Sequence, residues 1–250
     1  MAIAWALVPR LPASMTWLAA AAALSPALGA GGMAWAVRGR SSSVFAPSVF
    51  HGDLARKALA LTFDDGPSES TPALLDLLAL HRIRATFFQC GCNARRLPAL
   101  SRAIAAAGHE IGNHTENHAR LWLRSPSFVF DEVARCQRSL EECSGVRPLW
   151  FRAPYGVRWF GLGEAQRKLS LTGVMWTTLA LDWKLPAASV AARLLRGARN
   201  GAIFCLHDGR ALRHDPNIRE TVEALRRALP ALLERGFHFE TVSEILCPTN

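Results

Sequence analysis

The chain has 250 residues, half of them hydrophobic and a fifth charged, enough to bury one large core and ordinary for a globular fold. Its formal net charge is +9, and nearly all the positive charge is arginine. The arginines are scattered and no nucleic-acid motif accompanies them, so the charge reads as a solvated surface, open to anionic cell-wall polymers or acidic head groups, and gives no ground for a nucleic-acid partner.

In chain order, Met15 to Val37 comes first: 23 residues without a charge, long enough to cross a bilayer. Arg10 precedes this run and Arg38 and Arg40 follow it, so charge does not orient it. Two readings of residues 1–40 stand side by side. One is a membrane anchor. The other is a secretory signal peptide, with Ala27-Leu28-Gly29 supplying the small-residue cleavage pattern. Either implies membrane association through residues 15–37 or export to the cell envelope. Residues 41–53 are Ser-rich, contain Pro47, lack periodicity and read as a linker. The body, 54–250, is expected to be one domain.

From Lys57 the pattern alternates. Strands are expected over 58–63, 84–89, 109–112, 149–152, 173–180, 201–206 and 237–241, from short apolar runs. Helices are expected over 71–80 (opened by Thr71-Pro72), 94–107 (closed by Gly108), 127–143 (followed by Gly145), 164–169, 187–198 and 216–235. Strand–helix alternation implies an α/β fold with a parallel sheet, either closed into a barrel or open and doubly wound. In both cases chemistry belongs at the C-terminal ends of the strands.

The unusual polar residues fall at those ends. Asp64 and Asp65 end the first strand; Asp-Gly-Pro there is turn chemistry, and adjacent acids also suit a metal ligand beside a separate base. His114 and His118, four apart, share one face if the segment is a helical turn. With Asp65 they make two imidazoles and a carboxylate, a set that leaves room for water. Arg152, between Phe151 and Ala153-Pro154, reads as a constrained guanidinium, and Trp183 beside Asp182 as a core aromatic or a sugar-stacking wall. Tyr155 reads as core or site, and His207 as a satisfied core histidine or, from its place ending the sixth strand, a site residue. The six cysteines have no zinc-ribbon spacing; Cys136 and Cys143 stand about 10 Å apart on one helix, too far to bridge.

Together TFDDGP, Asn113-His114 with His118, RAPYG, Asp182-Trp183 and Leu206-His207-Asp208 resemble the polysaccharide deacetylase family, the NodB-homology domain of carbohydrate esterase family four. The resemblance spans 58–246 and implies a distorted (β/α) barrel of about seven parallel strands. It implies that Asp65, His114 and His118 bind a divalent metal, zinc or sometimes cobalt, that Asp64 is the general base oriented by Arg152, and that His207 is the general acid tuned by Asp182. It further implies that the Tyr155 N–H helps hold the oxyanion, that Leu206 meets the acetyl methyl and that Trp183 lines the sugar groove. The implied reaction is removal of N-acetyl groups from a glycan: peptidoglycan, a chitin-like oligosaccharide or a glycolipid. Alternatives are a carbohydrate-binding pseudoenzyme and a deacylase or deformylase of a lipid-linked sugar or small amide. Two positions depart from the family pattern: Leu179, where many members carry an acid, and the loop Cys90-Gly91-Cys92, which offers a weak second metal reading.

Overall fold

The computed structural model describes residues 28–247. Most of the apolar run at 15–37 lies outside them; among the described residues no helix is long and apolar enough to cross a membrane. Residues 28–38 are helical (α1) and lead to β1 (Ser48–Val49) and β2 (Ala58–Asp64). Next come α2 (Thr71–Leu80), β3 (Thr86–Gln89), α3 (Gly91–Arg96), α4 (Pro98–Ala106), β4 (Glu110–Asn113), α5 (Pro126–Ser144) and β5 (Trp150–Phe151). The chain continues through α6 (Leu162–Leu169), β6 (Thr172–Val174), β7 (Thr178–Leu179), α7 (Ala187–Gly197), β8 (Ala202–His207), α8 (Arg219–Glu234), β9 (His238–Glu240) and α9 (Val242–Leu246).

All strand pairs are parallel, in the order β1-β6-β5-β4-β3-β2-β8-β7, with β9 on the N-terminal part of β2. The ladder is an open path, yet its two ends are joined covalently. Met175–Thr177 carries the chain from β6, near one end, to β7 at the other. Along that crossing the Met175 N–H donates to the Val49 carbonyl and the Thr177 N–H to that of Ile203. The result is the distorted barrel expected, closed by a connection rather than by a last ladder. It also explains why the single strand expected over 173–180 is two.

Alternation along the central strands sorts the core. Leu59, Leu61 and Phe63 of β2, with Ala202, Phe204 and Leu206 of β8, face the helical layer and join the main core with α2, α7 and α8. Ala58, Ala60 and Ile203 face the barrel axis, where Phe88, Val174, Val242 and Ile245 fill the lower interior. Higher on the same inward faces stand Thr62, Asp64, Cys205 and His207. The barrel lining therefore turns from apolar to polar toward the C-terminal ends.

Several expectations change here. The helix expected over 94–107 breaks into α3 and α4 at Leu97, whose φ/ψ of −127/57 lies outside the α region that the following Pro98 ring disfavours. Residues 41–53, read as a linker, are built into the domain. Ser42 and Ala46 are buried, β1 pairs with β6, and fully buried Arg158 donates to the carbonyls of Gly39 and Ser42. No disulfide forms among the described cysteines, four of which are buried as small apolar residues.

Candidate active site

Asp65 follows β2 with a φ of 75°, a turn that aims its carboxylate across the barrel mouth. Gly66 allows this turn to pack: a Cβ there would lie 2.1 Å from a carboxylate oxygen of Asp208, which is itself buried and held by the Thr71 hydroxyl at 2.8 Å. Burial pushes the Asp208 carboxyl up to about 7. Asp65 is further fixed through its carbonyl, which accepts from the Asn93 side chain at 2.8 Å, and through Oδ2, which accepts from the Ala211 N–H at 2.8 Å.

Oδ1 of Asp65 is buried and has no hydrogen-bond donor among the described residues. Facing it at 3.3 and 3.0 Å are Nε2 of His114 and Nε2 of His118. The His114 Nδ1 lies 2.8 Å from the Arg152 carbonyl, which can only accept, so Nδ1 carries the proton and Nε2 presents a lone pair. A bare nitrogen facing a bare carboxylate oxygen is a repulsive arrangement unless a cation shares the two. The ligand atoms of Asp65, His114 and His118 all lie within 4.8 Å of one another. The residues fit a divalent metal, and the Nδ1–carbonyl bond is the outer contact that orients a ligating histidine.

The two histidines come together differently from the expectation. No helix carries them. His114 follows β4, and the loop turns back through Thr115 and His118 at φ of 65° and 51°. It is held from behind: the Gly91 and Cys92 N–H groups donate to the Thr115 and Glu116 carbonyls, buried Glu116 pairs with Arg95, and Glu132 accepts from both the amide and the side chain of Asn117. The Cys90-Gly91-Cys92 loop is thus a buttress. Gly91 is required there, since a Cβ would meet the Glu116 carboxylate at 2.0 Å.

Asp64 ends β2 on the barrel axis. Its Oδ1 accepts from Nη1 of Arg152 at 2.7 Å, and its Oδ2 lies 3.4 Å from the Cys205 thiol. Arg152 is fully buried and every donor group is engaged: Nη1 also to the Thr62 hydroxyl (2.6 Å), Nε to the Val174 carbonyl (3.1 Å), Nη2 to that of Met175 (3.2 Å). Its carbon sits 4.1 Å from the Phe88 ring centroid. This arginine can orient Asp64 and cannot move.

Across the groove, His207 Nδ1 meets Asp182 Oδ1 at 2.8 Å, and Asp182 Oδ2 accepts from the Thr221 hydroxyl and the His207 N–H. Burial alone would lower the His207 imidazole; the buried Asp182 carboxylate outweighs it and raises it to about 9. Its contribution to folding is complete below the ordinary value of 6.5 and is lost as pH rises through about 9.

Tyr155 adopts a left-handed φ of 59° in a 3-10 turn (Pro154–Gly156). The turn's own bonds come from the Gly156 and Val157 amides, not from Tyr155. Its exposed ring packs edge-on against His118, as the exposed Trp183 does against His207. One groove of about 750 Å³ is lined by Asp64, Asp65, His114, His118, Tyr155, Trp183 and His207. Leu206, expected to meet the acetyl methyl, points instead into the core against the helices because of its odd step along β8; Cys205, Leu179 and Trp176 form the apolar wall. Sequence reasoning also passed over Asn93 and Ala211, whose only signal was proximity to the motifs after folding.

A parallel barrel with two imidazoles and a carboxylate clustered at its strand ends, beside an Arg-held acid and an Asp-paired histidine, fits a metal-dependent hydrolase. The sequence model for the family described as polysaccharide deacetylase matches residues 51–174. The chain is 35% identical over 212 residues to a chitooligosaccharide deacetylase of Bradyrhizobium sp. (strain ANU 289), covering 81% of this chain and 97% of that protein. A solved peptidoglycan N-acetylglucosamine deacetylase in complex with a 4-naphthalen-1-yl-N-oxidanyl-benzamide superposes with a TM-score of 0.76 at 29% identity, over 81% of this chain and 94% of that one. A family 4 acetyl xylan esterase from Clostridium thermocellum, solved with a cobalt ion, gives a TM-score of 0.67 at 32% identity over 75% and 89%. The chain belongs to the polysaccharide deacetylase family, and it is a hydrolase of that metal-dependent class.

Proposed function

We propose that the enzyme removes N-acetyl groups from an N-acetylated glycan, using a divalent ion, zinc before cobalt, on Asp65, His114 and His118. The observation that carries this reading is the buried Asp65 Oδ1 turned toward two imidazole nitrogens, with the Asp64–Arg152 and His207–Asp182 pairs on the same groove. When bound, such an ion polarises the acyl oxygen and lowers the pKa of a coordinated water toward about 7.

The protein's own residues supply the rest. Asp64, held by Arg152, takes a proton from the attacking water. The Tyr155 N–H, left out of its turn's bonds, is the donor assigned to the oxygen that gains charge. His207, kept protonated by Asp182, delivers its proton to the departing amine, without which the nitrogen leaves poorly. Trp183 offers a flat face to a sugar ring. A carbohydrate-binding pseudoenzyme is disfavoured because every ligand, base and acid position is filled. The uncharged run at 15–37 supports action at the cell envelope.

Acetate release from chitooligosaccharides and peptidoglycan by the chain, before and after chelation and on adding back zinc or cobalt, tests the reading. Metal-dependent release that disappears in His114→Ala is expected; release that survives chelation overturns the metal assignment, and absence of release from every N-acetylated glycan overturns the substrate class. The acid assignment predicts that kcat/KM falls as pH rises, with a limb at or below about 9, since a dication on the neighbouring ligands opposes the imidazolium. In Asp182→Asn that limb moves down toward the ordinary histidine value of 6.5. A pH–rate profile of both proteins checks it; an unmoved limb assigns the acid elsewhere.

A further inference from the structure

The charged groups that line the groove, apart from the acids and histidines already given roles, are all arginines: Arg38, Arg210 and Arg213. Both lining acids are engaged, Asp64 with Arg152 and Asp65 with the histidine pair. Arg210 is tethered to the carbonyls of Gly209 (2.8 Å) and Asp182 (3.3 Å), and its charge is partly shared with the Asp182 carboxylate at 3.9 Å. Arg38 and Arg213 have no carboxylate within ion-pair distance among the described residues. Arg38 reaches only the Tyr155 carbonyl, at 3.5 Å. Outside the groove lining, the Arg120 guanidinium stands 4.9 Å from the Tyr155 ring centroid.

The cations thus come to the groove from two directions. Arg38 lies on the Tyr155 side, and Arg210 and Arg213 on the loop between β8 and α8. A neutral sugar chain would gain hydrogen bonds from such a rim but would leave its charge unanswered. An anion beside the reacting sugar would be drawn in and held by charge-assisted bonds, to which the planar guanidinium is suited. We infer that the groove is anion-binding, with Arg38 on one flank and Arg213 on the other as its cations without a carboxylate partner. It takes a carboxylate or phosphate carried by a sugar flanking the N-acetylated one. This rests on the deacetylase reading above and names the substrate class within it.

Three soluble tetrasaccharides of N-acetylated sugars test it: a neutral one, one with carboxylate ethers on alternate sugars, and one with a terminal phosphate. At low salt kcat/KM is expected to be at least about tenfold higher on one or both anionic substrates, mostly through KM, with the advantage shrinking at about 0.5 M salt. Preference for the carboxylate arm points to a cell-wall acid, and preference for the phosphate arm to a phosphorylated or lipid-linked sugar. The double variant Arg38→Gln/Arg213→Gln is expected to lose about tenfold more on the preferred anionic substrate than on the neutral one. Equal kcat/KM on all three, or a preference that the double variant keeps, overturns the inference. Calorimetric binding of the same oligosaccharides reads the anion preference without turnover. Tighter anionic binding with no acetate released rejects the deacetylase reading and keeps the anion-binding groove; equal affinities reject it.

Discussion

Asp64→Asn is expected to lower kcat by about 10³-fold, the scale of a lost general base, while the protein keeps its full complement of metal. The substitution preserves shape: the amide oxygen can still accept from Arg152 Nη1, now at 2.7 Å from Oδ1. What it removes is the capacity to take a proton. Asp65, His114 and His118 are untouched, because Asp64 faces Arg152 and Cys205 rather than the ligand set. Acetate release and metal content measured on the same preparation check this. Near-normal turnover would move the base to another residue, and loss of metal would make Asp64 a ligand. The contrast with His114→Ala, where metal and activity disappear together, separates the two acids by role.

Arg152→Met is expected to destabilise the protein by about 3–5 kcal/mol, the cost of leaving a buried charge without its partner. Asp64 is 4% exposed and Arg152 not at all, so water cannot substitute for the guanidinium. The change also strips the Val174 and Met175 carbonyls and the Thr62 hydroxyl of a donor. Urea unfolding of the two single variants and the double variant gives the coupling. In the Asp64→Asn background Arg152→Met is expected to cost less, since the residue left behind is a neutral amide. Equal costs in both backgrounds would mean that Arg152 acts through the carbonyls alone.

The alternating rhythm was legible because β2 and β8 are continuous apolar runs, buried on both faces, and because Gly145 and Pro72 mark helix ends. The candidate site residues were legible for a related reason: Asp64, Asp65, Arg152 and His207 are polar residues at the ends of apolar strands. The connection through Met175–Thr177 was not. The Thr, Val and Trp content of 173–180 as a whole matches a strand, and only the curvature of the sheet requires the chain to leave one edge and join another. Residues 41–53 carry no period because β1 has two residues and the rest is held by side chains far away in sequence, Arg158 above all. The spacing of His114 and His118 suits a helical turn as well as a loop, and left-handed residues such as Thr115 and His118 leave no mark when they are not glycine. By contrast, α9 carries a readable start, Thr241 and Glu244 forming a reciprocal cap. Leu206 shows the limit of motif reasoning: its neighbour His207 is in the site, and a single step along a strand reverses the direction of the side chain.

The crossing from β6 to β7 is the seam of the barrel, and Arg152 is sewn through it. Its Nε and Nη2 bind the successive carbonyls of Val174 and Met175 while Nη1 holds Asp64. A breathing motion that opened the seam would pull the same guanidinium away from the base. On the proposed mechanism, one guanidinium therefore both fastens the barrel and holds its base.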